Sequence, residues 1–167
     1  MTARAPKPVL YAVGFGSNIA PAENLPRALA LLREHVPILA LSQVWETPPV
    51  GAPGPNYYNA VALITFPLEA EQLKTRVLRL IEAALGRVRT ADPNAPRPID
   101  LDILMAGQRV LDEDIWRFAH WAVPMAEVMP NLKHPENGQT LAETAQQLAN
   151  RTALRPVALT GWAMQKA

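Results

Sequence analysis

Two stretches with helical spacing, each set between runs of β-forming residues, leave this chain few folds to choose from. "VLYAVGFGSN" (9–18) is rich in β-formers and ends in a Gly-Ser-Asn turn. Residues 21–36 repeat apolar side chains at Leu25, Ala28, Leu29, Leu32 and Val36, the period of one helix face, and Pro37 closes it. "ILALSQVWET" (38–47) and "YYNAVALITF" (57–66) read as two further strands. Between them "PPVGAPGPN" is too rich in proline and glycine for regular structure and longer than a hairpin needs, as binding loops often are. Helical spacing returns over 68–86, with Leu73, Val77, Leu80, Ile81 and Ala84 on one face and Gly86 as its stop. "RPIDLDILMAG" (97–107) supplies a fourth strand. The order β-α-β-β-α-β predicts an α+β fold of the ferredoxin-like kind, an antiparallel sheet covered by helices. "GQRVL" predicts a hairpin extension, and "TLAETAQQLANR" a C-terminal helix whose Thr140 and Glu143 form a capping box. No repeat or linker interrupts the chain, so residues 1–167 are expected to form one domain.

Composition narrows the function classes. The chain has 167 residues, 49% of them hydrophobic, which is enough for one core. Sixteen basic against 15 acidic residues give a net charge of +1, so no global field draws in nucleic acid or an anionic membrane. Any electrostatic function must be local. The absence of cysteine removes disulfides, thiolate metal sites and a thiol nucleophile, and fits a cytoplasmic setting. The N-terminal segment lacks the apolar core of a signal peptide, and no stretch approaches the ~20 apolar residues of a membrane span.

The chemistry concentrates around "RPIDLDIL". In a strand alternate side chains share a face, so Asp100 and Asp102 converge on one side while Ile99, Leu101 and Ile103 point to the other. Two carboxylates so placed repel by several kcal/mol at an effective dielectric of about 20. A divalent cation offsets that repulsion, and Mg²⁺ in particular takes one or two carboxylates and completes its shell with phosphate oxygens. The alternative for the pair alone is a solvated outer face of an edge strand. "GRVRTADPNAPR", just upstream, adds Arg87, Arg89 and Arg97, whose guanidinium forks match phosphate oxygens. The combination points to a metal and polyphosphate site; its competitor is a set of surface arginines paired with Glu82, Asp92 and the aspartates. On the preceding strand Tyr57 and Asn59 share a face, an aromatic plate beside a bidentate amide, which suits a planar heteroaromatic amide. Each taken singly favours the plainer reading, a cross-strand aromatic and an ordinary turn asparagine.

Taken in order, "GFGSN", "ETPPVG", "YYNAV", "IEAALGRVR" and "PRPIDLDIL" resemble the 6-hydroxymethyl-7,8-dihydropterin pyrophosphokinase family of folate biosynthesis, over residues 11 to about 107. The resemblance implies an enzyme that moves the β,γ-pyrophosphoryl group of ATP to the hydroxymethyl of a dihydropterin and releases AMP. It implies that Asp100 and Asp102 hold two Mg²⁺ ions and that Arg87 and Arg97 are catalytic. It assigns Glu82, Arg89, Arg97, Ile103 and His120 to the nucleotide. Thr47, Pro48, Val50, Tyr57 and Asn59 go to the pterin. Expected partners are pterin and ATP, with neither nucleic acid nor membrane, and the expected state is a monomer.

Two segments depart from the family pattern. The W-G-P-R context expected before the arginine is here "DPNAPR", with Asn94 in place of the tryptophan. The P-H-x-x-M-x-x-R-x-F segment is shortened to "IWRFAHWAVPMAEVMP", which omits the phenylalanine expected on the second pterin face. Trp121 or Phe118 can supply a substitute plate; Trp121 is the nominated one, and Phe118 is expected in the core. The better match of the ATP half leaves two alternatives: a family member acting on a modified pterin outside folate synthesis, or a non-catalytic nucleotide- or pterin-binding protein of the same fold.

Overall fold

The computed structural model describes residues 3–165, and the strand pattern of the sequence forms one antiparallel sheet with helices on both faces. In chain order the elements are β1 (Val9–Ser17), α1 (Pro21–Arg33), β2 (Ile38–Leu41), β3 (Val44–Thr47), β4 (Tyr57–Phe66), α2 (Ala70–Leu73), a π turn (Lys74–Leu78) and α3 (Arg79–Ala84). They continue with β5 (Asp100–Ala106), β6 (Arg109–Val110), a 3₁₀ turn (Glu113–Trp116), α4 (Ala119–Val128), α5 (Leu141–Ala149) and β7 (Arg155–Val157). Every strand pairing is antiparallel, in the order β6-β5-β1-β4-β3-β7, and β2 pairs with β4 beside β3. Among the described residues no helix is long and apolar enough to cross a membrane.

Period-two alternation in β1 and β4 builds a core on each face. Tyr11, Val13 and Phe15 of β1 join Ala60, Ala62 and Ile64 of β4 under α1 and α3, whose Leu25, Leu29, Leu32 and Ile81 are buried against them. Ala12, Val61 and Leu63 point the other way, into a core closed by Trp121 and Met125 of α4 and Leu141 of α5. Each fully buried leucine or isoleucine contributes about 1.5–3 kcal/mol of transfer free energy, so both layers matter to stability.

Several expectations need correction. The second core layer rests on α4, which the sequence reading left without an element. The strand expected over 38–47 splits into β2 and β3 at Ser42, where the Ser42 hydroxyl, rather than a backbone carbonyl, accepts the Val61 N–H at 2.8 Å. The helix after β4 does not keep one period. The π turn inserts a residue, so the buried positions run Leu73, Val77, Leu78, Ile81, Glu82 and Leu85, and Leu80 is left 59% exposed. Ala84, also expected inside, is exposed for the same reason. The C-terminal helix starts as expected: the Thr140 hydroxyl accepts the Glu143 N–H and the Glu143 carboxylate accepts the Thr140 N–H.

Candidate active site

The strand register draws the polar residues of three strands into one row. Gly16 of β1 lies opposite Asn59 of β4 on one side and Asp100 of β5 on the other. The next row on the same face pairs Gly14 with Asp102. Close approach leaves little room for a side chain at either glycine, least at Gly14. A Cβ at Gly16 would sit 3.3 Å from the Asn59 amide nitrogen, and one at Gly14 would sit 2.7 Å from the Trp121 ring. The missing side chain at Gly16 leaves a trough between the amide and the carboxylate. Over it lies a cavity of about 380 Å³, at the small end of the usual range for ligand pockets. Its walls come from Pro48 and Val50 of the 48–56 loop, Asn94 and Arg97 of the loop before β5, and Phe118 and His120 at the start of α4.

Of the residues expected in a site, Thr47, Pro48, Val50, Tyr57, Asn59, Arg97, Asp100, Asp102, His120 and Trp121 all line this cavity. Thr47 and Asn59 are buried, and the Thr47 hydroxyl donates to Asn59 Oδ1 at 2.8 Å. That bond commits the amide oxygen and leaves the NH₂ as a donor beside the Gly16 trough.

Arg87, Glu82 and Arg89 stand behind the row, joined to it through Asp100. Arg87 donates to Glu82 Oε2 and Asp100 Oδ1, while Arg97 donates to Asp100 Oδ2 at 3.0 Å. Both oxygens of Asp100 are thus held by guanidinium groups. The sequence competitor, surface arginines paired with carboxylates, is half right in partners and wrong in setting: the Arg87 side chain is only 10% exposed and that of Glu82 5%. Arg89, by contrast, is 58% exposed and reaches Glu82 at 3.4 Å. Arg87, Arg89 and Arg97 share a smaller cleft of about 230 Å³, and Arg97 lines both spaces. Ile103 lies on the opposite face, against the α1 layer, and does not reach the cavity.

Electrostatics separate the two aspartates. Asp102 has its carboxyl pushed up to about 7, chiefly by burial and then by Asp100, Asp112 and Glu82, with Arg87 offsetting part of the rise. Among the described residues no hydrogen bond reaches its carboxylate. Burial also raises Glu82, and the adjacent Arg87 offsets this only in part. For Arg87 burial works against the charge, but Asp100 and Glu82 outweigh it and raise the guanidinium further. Among the described residues no cluster of three or more His, Asp or Glu is placed to hold a metal. Any cation on Asp100 and Asp102 must therefore take further oxygens from a ligand, which is how Mg²⁺ binds together with phosphates. A converging pair with one strained carboxyl is a donor set that fits such an ion.

The α4 end of the cavity differs from expectation. Trp121 is 6% exposed and packs over Gly14 in the second core layer, so most of its ring is structural. Phe118, expected in the core, is only half-buried, lines the cavity and stacks on His120 with centroids 5.6 Å apart. His120 is lowered to about 4 by burial, with Asp112 acting in the opposite sense. A histidine that must enter the fold neutral lowers stability as pH falls, over the window from its usual 6.5 down to about 4. In His120→Asn the fall in melting temperature between pH 6.5 and 4.5 should shrink by several degrees, as read by thermal denaturation across pH; an unchanged slope would show that His120 is not held neutral. Among the polar cavity residues, sequence reasoning missed Asn18 and Asp114, and it weighed Phe118 as a plate but placed it in the core. Asn18 was within reach, as the last residue of the "GFGSN" turn; Asp114 belongs to a segment with no readable period.

Comparison with known proteins adds a family. Residues 12–130 match the family model of 7,8-dihydro-6-hydroxymethylpterin-pyrophosphokinase (HPPK). A 2-amino-4-hydroxy-6-hydroxymethyldihydropteridine pyrophosphokinase of Synechocystis sp. is 31% identical over 157 residues, covering 87% of this chain and 79% of that protein. The enzyme of the same name from Pseudomonas aeruginosa is 33% identical over 144 residues, covering 78% of this chain and 86% of that one. A solved HPPK-DHPS triple mutant of Plasmodium falciparum with pteroate aligns at 12% identity and a TM-score of 0.47, over 90% of this chain and 36% of that longer one.

Proposed function

The chain belongs to the 7,8-dihydro-6-hydroxymethylpterin-pyrophosphokinase family, and from that premise we propose how its residues divide the work. The activity is ATP-dependent transfer of a pyrophosphoryl group to hydroxymethyldihydropterin, in folate biosynthesis. Asp100 and Asp102 hold Mg²⁺, as two ions, and the bound cation supplies charge neutralisation for the carboxylates and the ATP phosphates. Arg87 and Arg97 stabilise negative charge on the transferred and leaving groups. Glu82 fixes Arg87, and Arg89 extends the cationic cleft toward the nucleotide. Thr47 orients the Asn59 amide toward the pterin edge, Tyr57 offers a face to the ring, and Pro48 and Val50 border it. Residues 1–167 act as one domain of ferredoxin-like topology, a monomer in the cytoplasm.

One observation carries this reading. In the row Asn59, Gly16, Asp100, neighbouring strands are about 4.8 Å apart, so an acceptor ring on the amide and phosphates at the carboxylate meet over the Gly16 trough. The test is product analysis with Mg-ATP and 6-hydroxymethyl-7,8-dihydropterin. AMP and a pyrophosphorylated pterin are expected; ADP, or no transfer, would refute the reading.

The second face of the ring is assigned to Phe118 rather than Trp121, because Phe118 opens to the cavity whereas Trp121 is committed to Gly14 and the core. Phe118→Ala should raise the Kd of the pterin about ten-fold and leave that of an ATP analogue unchanged. Trp121→Ala should instead destabilise the fold by about 3–5 kcal/mol. Calorimetry and thermal melts decide between them, and a pterin Kd insensitive to Phe118→Ala would return the second face to Trp121.

A further inference from the structure

The β1–β5 ladder ends at Gly16 and Asp100, yet the two chains stay joined beyond it. Asn18 Oδ1 accepts the Arg97 backbone N–H at 2.8 Å, and the Asn18 backbone N–H donates to the Arg97 carbonyl at 3.2 Å. An N–H donor fixes the side-chain atom as oxygen, so the amide orientation is not in question. The turn that carries Asn18 is itself braced: Ser17 Oγ donates to the Ile19 carbonyl at 3.1 Å, and the buried Asn24 donates to the same oxygen at 2.7 Å. On the other side of this joint the Arg97 guanidinium reaches Asp100 and the Pro93 carbonyl, so the arginine is held at its backbone by Asn18 and at its head by Asp100 and the loop.

We infer that Asn18 is a positioning residue for transfer, which sets the guanidinium of Arg97 by clamping its backbone. The inference rests on the reading that Arg97 acts in the transfer step. A side chain too short or too apolar to accept the N–H frees the segment from Pro93 to Arg97, and an ångström of displacement at a reacting group can cost up to about a hundred-fold in rate. The loss falls on kcat, because the cavity floor that binds the acceptor and the carboxylates that bind the nucleotide lie on β4 and β5 and stay in place.

The test is steady-state kinetics of Asn18→Leu, Asn18→Asp, Arg97→Ala and the Asn18→Leu/Arg97→Ala double variant, with Mg-ATP and 6-hydroxymethyl-7,8-dihydropterin. Asn18→Leu should lower kcat about ten-fold or more with both KM values within about two-fold. Asn18→Asp, which keeps the acceptor oxygen, should recover most of that loss. In the Arg97→Ala background Asn18→Leu should change kcat by less than about two-fold, since its effect passes through the missing guanidinium. If Asn18→Leu does not fold, Asn18→Ala takes its place in the same cycle. Losses that add in the double variant, or a raised pterin KM at unchanged kcat, would overturn the inference. An Arg97→Ala enzyme with normal kcat would refute the reading of Arg97 itself, and the two failures are thereby told apart.

Discussion

Replacing Asp102 with asparagine is expected to abolish transfer and, in the same protein without ligands, to raise the melting temperature at pH 8. The carboxyl of Asp102 is pushed up to about 7 by burial and by its neighbours Asp100, Asp112 and Glu82. A carboxyl raised above its unfolded value destabilises the fold wherever it must be charged; the penalty is complete above pH 7 and vanishes below about pH 4. Removing the charge should therefore stabilise the apo protein by about 1–3 kcal/mol at pH 8, roughly 2–10 °C for a domain of this size, with the gain fading as pH falls. Mg²⁺ with an ATP analogue should raise the melting temperature of the wild type more than that of Asp102→Asn, because only the wild type offers the second carboxylate. Near-normal turnover in the variant, or a lower melting temperature at pH 8, would refute both the metal role and the strain.

The same substitution at Asp100 should move stability the other way. The sequence alone suggested that both aspartates do nothing but repel in the apo protein. In the fold Asp100 receives Arg87 on one oxygen and Arg97 on the other. It is the junction of a network, in which each oxygen keeps a second lone pair that a cation can share with the arginines.

How much of this was legible follows from which signals are local. The alternation of Asp100 and Asp102, the positions of Tyr57 and Asn59, and the capping box at Thr140 are properties of period and cap, and the fold keeps them. The π turn was not legible, because Leu80 continues the regular period and nothing in the spacing marks the inserted residue that brings Leu78 and Glu82 inside. The packing of Trp121 into the core while Phe118 opens to the cavity was equally hidden: it follows from the absence of a Cβ at Gly14, a residue more than a hundred positions earlier, which makes room for the indole. Helix α4, with Pro124 inside it and few polar positions to mark an outer face, carries no amphipathic pattern to read.

Arg87→Ala should cost more stability than any other change to a charged residue of the site, and the effect should depend on pH. The arginine is enclosed, with Glu82 on one side and Asp100 on the other, and the Glu82 side chain is only 5% exposed. Breaking this member out of a buried charged set leaves Glu82 with only the exposed Arg89 at 3.4 Å and Asp100 with only Arg97, at about 3–5 kcal/mol. For a chain of this length that is a fall of roughly 6–20 °C in melting temperature. Burial already raises Glu82, and loss of the offsetting guanidinium raises it further, so the carboxyl takes up a proton more readily in the variant. A raised carboxyl destabilises at high pH and not at low pH, hence the deficit should be large at pH 8 and smaller at pH 5.5. Arg97→Ala makes the contrast: its partner Asp100 keeps Arg87 and is 22% exposed, so turnover should fall with a change of about 1 kcal/mol or less in stability. If Arg87→Ala melts like the wild type, or its deficit is the same at pH 5.5 as at pH 8, the buried network does not hold the edge of β5 together and Arg87 acts on the nucleotide alone.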